Sequence, residues 1–183
     1  MSLLITGAAR ADGTRGDLYL ADGVLADPAS APAGVERFDA DGLLALPGLV
    51  DLHTHLRQPG REDAETVSSG TAAAARGGFT CVHAMANTDP VTDTAEAAAY
   101  VAGLGDREGH CEVRVVGAVT RGLAGEELAE LGLMADSAAG VRVFSDDGRC
   151  VGDSLLMRRA LTYVKAFDGV IAQHSQDPRL AGP

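Results

Sequence analysis

Gly48-Leu49-Val50-Asp51-Leu52-His53-Thr54-His55-Leu56-Arg57 is the stretch on which the fold turns. A short apolar run ends abruptly in polar side chains, the pattern of a buried strand that delivers its last residues to a working edge. Side chains two apart on a strand share a face, so the imidazoles of His53 and His55 converge. Parallel α/β folds place their sites at the carboxyl ends of strands, and imidazole is a good ligand for zinc and similar ions. A His-x-His pair on its own is a moderately specific signal.

Further strands follow the same design. Phe79–Met85, Val113–Val119, Val141–Phe144 and Val170–Ala172 are short and rich in Val, Ile, Leu or Phe, as expected for parallel strands covered on both faces. Helical patterns lie between them at Asp63–Ala75, Asp93–Leu104, Gly125–Ala135 and Asp153–Ala166. Thr92-Asp93-Thr94-Ala95-Glu96 is a good helix start, because Thr or Asp caps free amides and acids suit the dipole. Gly77-Gly78 stops the preceding helix. Met157, Leu161 and Val164 recur at helical spacing and predict a core face. The strands repeat about every 30 residues, the size of one βα unit. About five such units give either a doubly wound sheet or part of a (β/α)8 barrel, and a complete barrel takes about 250 residues.

Residues 1–47 have another texture. Leu3-Leu4-Ile5, Leu18-Tyr19-Leu20 and Leu43-Leu44-Ala45-Leu46 are divided by Thr6-Gly7, Asp22-Gly23 and Pro47-Gly48. Asp-Gly pairs between apolar runs predict hairpins, and Ala31-Pro32-Ala33-Gly34 predicts a loop. So small a region needs partner strands to complete a core. The expected domains are 1–47, a strand-rich unit, and 48–183, the βα units.

Two later strand ends offer more ligands. Val141–Phe144 runs into Ser145-Asp146-Asp147-Gly148, and Val170–Ala172 runs through Gln173 into His174. In isolation the acidic pair reads as a turn or helix cap, and His174 as a satisfied core histidine. Their shared position at strand ends, on the rim that carries His53 and His55, joins them into one candidate site. His83 lies within a strand and is expected to be structural; His110 falls in a loop and is expected to be exposed.

Pro47 to His55 resembles the opening of the amidohydrolase superfamily. Leu56-Arg57-Gln58-Pro59-Gly60, Met85-Ala86-Asn87-Thr88-Asp89-Pro90 and Phe144-Ser145-Asp146-Asp147-Gly148 are similar to the dihydroorotase family of the longer bacterial type. The resemblance runs from about Leu3 to Leu180. It implies a partial (β/α)8 TIM-like barrel preceded by strands of a small β-sandwich. It also implies zinc-dependent, reversible hydrolysis of dihydroorotate to carbamoyl-aspartate in pyrimidine biosynthesis. By that resemblance His53 and His55 match ligands of one zinc, Asp147 matches the carboxylate bridging to a second, and His174 matches a ligand of that second ion. The resemblance favours Asp147 over Asp146, because its distance to His174 fits the family's spacing; Asp146 is left as a supporting or turn residue. His55, Arg57 and Asn87 are implied in substrate binding; the competing readings are a surface salt bridge for Arg57 and an Asx turn for Asn87. Two adjacent metals can activate a water, polarise an amide carbonyl and stabilise an oxyanion. No position matches the family's general acid–base aspartate, which is expected beyond Pro183. The isolated chain is therefore expected to be inactive, and its open sheet to aggregate unless a partner covers the edges.

The related hydantoinases and allantoinases bridge their metals with a carboxylated lysine. The chain's single lysine, Lys165, falls in a predicted helix, which tilts the reading towards dihydroorotase. A non-catalytic dihydroorotase-like partner of a transcarbamoylase is a third reading, disfavoured by the four retained ligands. A homodimer or a transcarbamoylase complex is the assembly to expect.

Composition bounds the reading without naming a function. Hydrophobic residues make up 46% of the chain, enough for a core. The net charge of −11 argues against nucleic-acid binding, which relies on Lys and Arg. No apolar run suits a membrane span, and the first residues lack a signal peptide's features, so a cytoplasmic location is expected. Cys81, Cys111 and Cys150 lack Cys-x-x-Cys spacing and predict small buried hydrophobes rather than disulfides.

Overall fold

The computed structural model describes residues 2–177 and 179–181. It divides into two compact units, Met1–Pro47 and Gly48–Pro183.

The first unit is a single five-stranded sheet. Strand β1 (Ser2–Arg10) pairs antiparallel with β2 (Arg15–Ala21), and β2 with β3 (Val24–Ala26). Strands β4 (Glu36–Asp39) and β5 (Leu44–Ala45) both run parallel to β1. Asp22-Gly23 makes the tight β2–β3 hairpin, with φ of 50° and 82°, the double left-handed backbone that two-residue hairpins favour. Two expectations are corrected here. Thr6-Gly7 is no turn: β1 continues through it, and the register slips between Ile5 and Ala8, so Gly7 (φ 73°) accommodates a bulge. The rule that Asp-Gly pairs make hairpins also fails at Asp41-Gly42, which bends the chain between β4 and β5, strands that lie along the same edge of β1.

The second unit alternates strand and helix: β6 (Leu49–Thr54), α1 (Val67–Arg76), β7 (Phe79–Ala84), α2 (Ala95–Glu108), β8 (Glu112–Gly117), α3 (Leu131–Asp136), β9 (Val143–Phe144), α4 (Ser154–Val164) and β10 (Val170–Ile171). The strands form a parallel sheet in sequential order, β10-β9-β8-β7-β6, a curled portion of a barrel. Thr66 caps α1 in a capping box with Ser69, Thr94 caps α2, and Asp153 caps α4. The core lies between strands and helices: Val67, Val82, Val116, Leu131, Met134, Val141 and Phe144 are almost fully enclosed. The edge strand β6 leaves Leu49, Val50 and Leu52 about half exposed or more.

Three local expectations shift. Helix α1 starts at Val67 rather than Asp63, because Arg61 to Glu65 are held in turns by Arg57 O and Arg61 O. Helix α3 starts at Leu131 rather than Gly125; the chain before it is tied into an irregular rim loop by an antiparallel bridge between Thr120 and Leu128. The core stripe of α4 is Leu156, Ala160 and Val164, with Met157 packed alongside and Leu161 47% exposed. The helix is rotated by about one position from the expected face.

Candidate metal centre

The site is assembled by the curl of the sheet. β6 and β9 are three strands apart in the sheet order, a separation of about 14 Å in a flat sheet with strands about 4.8 Å apart. Yet His53 and His55, at the tip of β6, lie against Asp147, just past β9. His53 Nε2 is 3.2 Å from Asp147 Oδ1, and His55 Nε2 is 3.3 Å from Asp147 Oδ2. The strand tips have rolled inward onto one another.

These contacts have the dimensions of a coordination shell. Ligand atoms of His53, His55 and Asp147 all lie within 4.8 Å of one another. An ion about 2.1 Å from each tetrahedral ligand sets those ligands about 3.4 Å apart, close to the spacings observed. His174, past β10, brings Nδ1 to 3.6 Å from Asp147 Oδ1, while its Nε2 faces Gln176 Oε1 at 2.9 Å. The Asp147 carboxylate is thus the shared partner of three imidazoles, and its side chain is only 10% exposed.

Asn87, past β7, decides how His55 is presented. Its Oδ1 is 3.0 Å from His55 Nδ1, and its Nδ2 donates to Asp147 Oδ2 at 3.4 Å. The opposite amide orientation would set two oxygens face to face, so this one is favoured on the network. An amide oxygen can only accept, so His55 Nδ1 carries the proton. In the neutral ring Nε2 then points a lone pair at a carboxylate oxygen, an arrangement that calls for a cation between them. A ring nitrogen fixed by a hydrogen bond on its far side is the usual way of orienting a metal-binding histidine. The residues therefore fit a divalent ion: two imidazoles and a carboxylate from strand tips, with a third imidazole alongside.

The remaining candidates fall as follows. Arg57 is half-buried beside the β6 tip in left-handed backbone, φ 58°; its guanidinium makes no ion pair or hydrogen bond among the described residues. His83 turns Nδ1 towards Asp51 O at 3.3 Å, outside the cluster, and His110 is exposed near Ser68. Cys81 is buried, whereas Cys111 and Cys150 are partly exposed. Burial pushes the Cys81 thiol above its ordinary pKa, reinforced by the Glu112 carboxylate; burial does the same to Cys111. A cleft of about 400 Å³ opens beside His174, walled by Leu123, Gly125, Gly148, Arg149 and Cys150.

The acidic pair divides its work. Asp147 faces the imidazoles, while Asp146 is 1% exposed and turns the other way, accepting from Val119 N at 2.8 Å, Thr120 N at 3.0 Å and Thr120 Oγ1. Thr120 escaped the reading of the sequence. Its signal was a hydroxyl directly after the apolar run Val115–Val119, at the end of a buried strand.

Comparison with known proteins bears on both units. Residues 42–182 match the family model described as dihydro-orotase-like. A dihydroorotase of Leifsonia xyli subsp. xyli is 65% identical over 181 residues, 98% of this chain and 41% of that relative's length. A dihydroorotase of Streptomyces coelicolor is 58% identical over 180 residues, 97% of this chain and 42% of that relative's. The chain thus spans about two-fifths of these relatives. Among solved structures, an L-hydantoinase from Arthrobacter aurescens superimposes with a TM-score of 0.77 at 22% identity, over 92% of this chain and 39% of that one. A dihydropyrimidinase from Brevibacillus agri does so with a TM-score of 0.75 at 18% identity, over 98% and 41%. At such identities these two likenesses speak to the fold alone, a barrel with helices outside.

Proposed function

The chain belongs to the dihydro-orotase-like family, and from that membership we propose that it supplies the metal-binding strand tips of a dihydroorotase. The reaction is reversible hydrolysis of the cyclic amide of dihydroorotate to carbamoyl-aspartate, a step of pyrimidine biosynthesis. The observation that carries the proposal is the convergence of His53 and His55 on Asp147 from strands far apart in the sheet, joined to 65% identity with a protein of that activity.

Zinc is the ion this donor set suits; His53, His55 and Asp147 would hold it, and His174, beside Asp147, would serve a second. Bound there, the metal would supply Lewis acidity towards an amide carbonyl and its attacking water. The protein's own part is positional. Asn87 holds the His55 tautomer, and the partly enclosed Asp147 keeps its carboxylate aimed at the rings. Arg57, two residues past His55, would grip the substrate carboxylate with its planar fork, and Asn87 would meet the ring's amide. Strands of residues 1–47 belong to a small β-sandwich completed from elsewhere, to which exposed Val24, Leu25, Phe38 and Leu44 are suited. The intact protein works in the cytoplasm on this small molecule, as a homodimer or with a transcarbamoylase.

The test is a substrate panel on the intact protein, stripped of metal and reloaded with zinc. Dihydroorotate should be opened only after reloading, and His53→Ala or Asp147→Asn should lose at least about a hundredfold in kcat/KM. Turnover of hydantoin or allantoin without dihydroorotate would move the chain to a related cyclic-amide hydrolase. Absence of both metal uptake and turnover would leave a scaffold.

A further inference from the structure

We propose that Asp146 is a positioning residue, whose buried carboxylate latches the rim loop after β8 onto the strand tip that carries Asp147. The inference rests on the metal-centre reading above, which it deepens. Asp146 Oδ1 accepts from two successive backbone amides, Val119 N at 2.8 Å and Thr120 N at 3.0 Å, and Oδ2 receives the Thr120 hydroxyl. The Thr120 hydroxyl cannot be reversed without loss. It already accepts from Gly125 N at 2.9 Å, so its one proton is free for Asp146. The bonds run in one direction, from Gly125 N–H through Thr120 O–H to the carboxylate.

This relay joins three things the function needs. Asp147 is the next residue, so anchoring Asp146 fixes the direction from which the bridging carboxylate enters. Ser145 N donates to Gly117 O at 2.8 Å, which pins the other side of the same tip to β8. Gly125 and its neighbour Leu123 wall the cleft beside His174, and Arg149 bonds Leu123 O at 3.2 Å, so the latched loop also shapes the space where substrate would sit. An acceptor-only carboxylate suits the position. Asparagine at 146 keeps the size but turns an NH2 either towards the two amides, donor facing donor, or towards the hydroxyl, whose proton then loses its acceptor.

The experiment compares intact wild-type protein with Asp146→Asn, Thr120→Val, Thr120→Ser and His53→Ala. Zinc affinity is read by chelator competition, and the cobalt-substituted protein by its visible absorption spectrum. Asp146→Asn should weaken metal binding about 10–100-fold, the usual cost of losing a group that orients a ligand, and alter the cobalt spectrum. Thr120→Val should weaken it in the same direction, and Thr120→Ser, which keeps the hydroxyl, should restore affinity to within about threefold. Wild-type affinity and spectrum in Asp146→Asn would overturn the proposal, as would equal damage from Thr120→Ser and Thr120→Val. His53→Ala separates the two readings: if it binds zinc as tightly as wild type, the metal centre itself is refuted, whereas its loss alongside an unaffected Asp146→Asn sinks the latch alone. Should Asp146→Asn fail to fold, the Thr120 pair decides.

Discussion

Replacing Gly117 by alanine should damage the site without touching any ligand. Gly117 ends β8. A Cβ built there would lie 2.8 Å from Met134 Sδ, 3.1 Å from Met134 Cε and 3.0 Å from Phe144 Cδ1. Carbon contacts are most favourable at about 3.5–4.0 Å, so the new methyl overlaps its neighbours by about half an ångström or more. Met134 and Phe144 are both 0% exposed. Methionine can bend, but the Phe144 ring, the other group in the way, is stiff and equally enclosed. Overpacking of this kind costs about 1–3 kcal/mol. Taking 2 kcal/mol as the centre, the thermal midpoint should fall by about 4–8 °C, using the scaling for a domain of barrel size. Phe144 immediately precedes Ser145, Asp146 and Asp147, so a displaced ring also tilts the ligand, and zinc affinity should drop with stability. A double-mutant cycle isolates the cause. Met134→Ala alone should cost about 2–5 kcal/mol by leaving a cavity, and the Gly117→Ala penalty in that background should shrink by more than about 0.5 kcal/mol. A midpoint within a degree of wild type for Gly117→Ala, or strict additivity with Met134→Ala, would refute the steric account.

Other outcomes follow from single contacts. Asn87→Ala removes the acceptor that orients His55 Nδ1 and should weaken zinc binding by about 10–100-fold, measured by titration; unchanged affinity would contradict the tautomer argument. Thr66→Ala breaks the capping box of α1 and should cost about 1 kcal/mol in denaturant unfolding, with metal affinity untouched. Cys81 and Cys111 have thiols held above their ordinary pKa by burial, so alkylation should be slow at neutral pH and should accelerate at a higher pH than for a free thiol. The unfolded thiols deprotonate first, so their contribution lowers stability as pH rises past about 8.5. Rapid labelling of Cys81 at pH 7 would be inconsistent with its burial.

The βα repeat and the rim it creates could be read from residues 48–183 because burial on both faces leaves nearly unbroken apolar strands, and polar residues begin where the strands end. Elements held by nonlocal contacts were harder to read. Thr6-Gly7 has turn composition, yet β1 runs through it as a bulge rather than reversing, because pairing with β2 resumes at Ala8 and with β4 reaches Thr6. The early start expected for α3 failed because its first residues are captured elsewhere: Thr120 bridges Leu128 and accepts from Gly125 N at 2.9 Å, and Asp93 O accepts from Glu130 N at 3.1 Å. In the site, His53 and His55 announce themselves by spacing. That Asn87 touches both His55 and Asp147, and that Asp146 serves a loop 26 residues earlier, depends on how far the sheet curls, which no local pattern encodes.

The inward roll that brings β6 to β9 gives the cluster a second property. A gap of a few ångströms closed across three strand spacings amplifies small changes in coiling, so a slight flattening anywhere between Val50 and Phe144 would widen the distance from imidazole to carboxylate by several times the shift at any one strand. Metal affinity would then report on the packing behind β7 and β8 as well as on the ligands themselves.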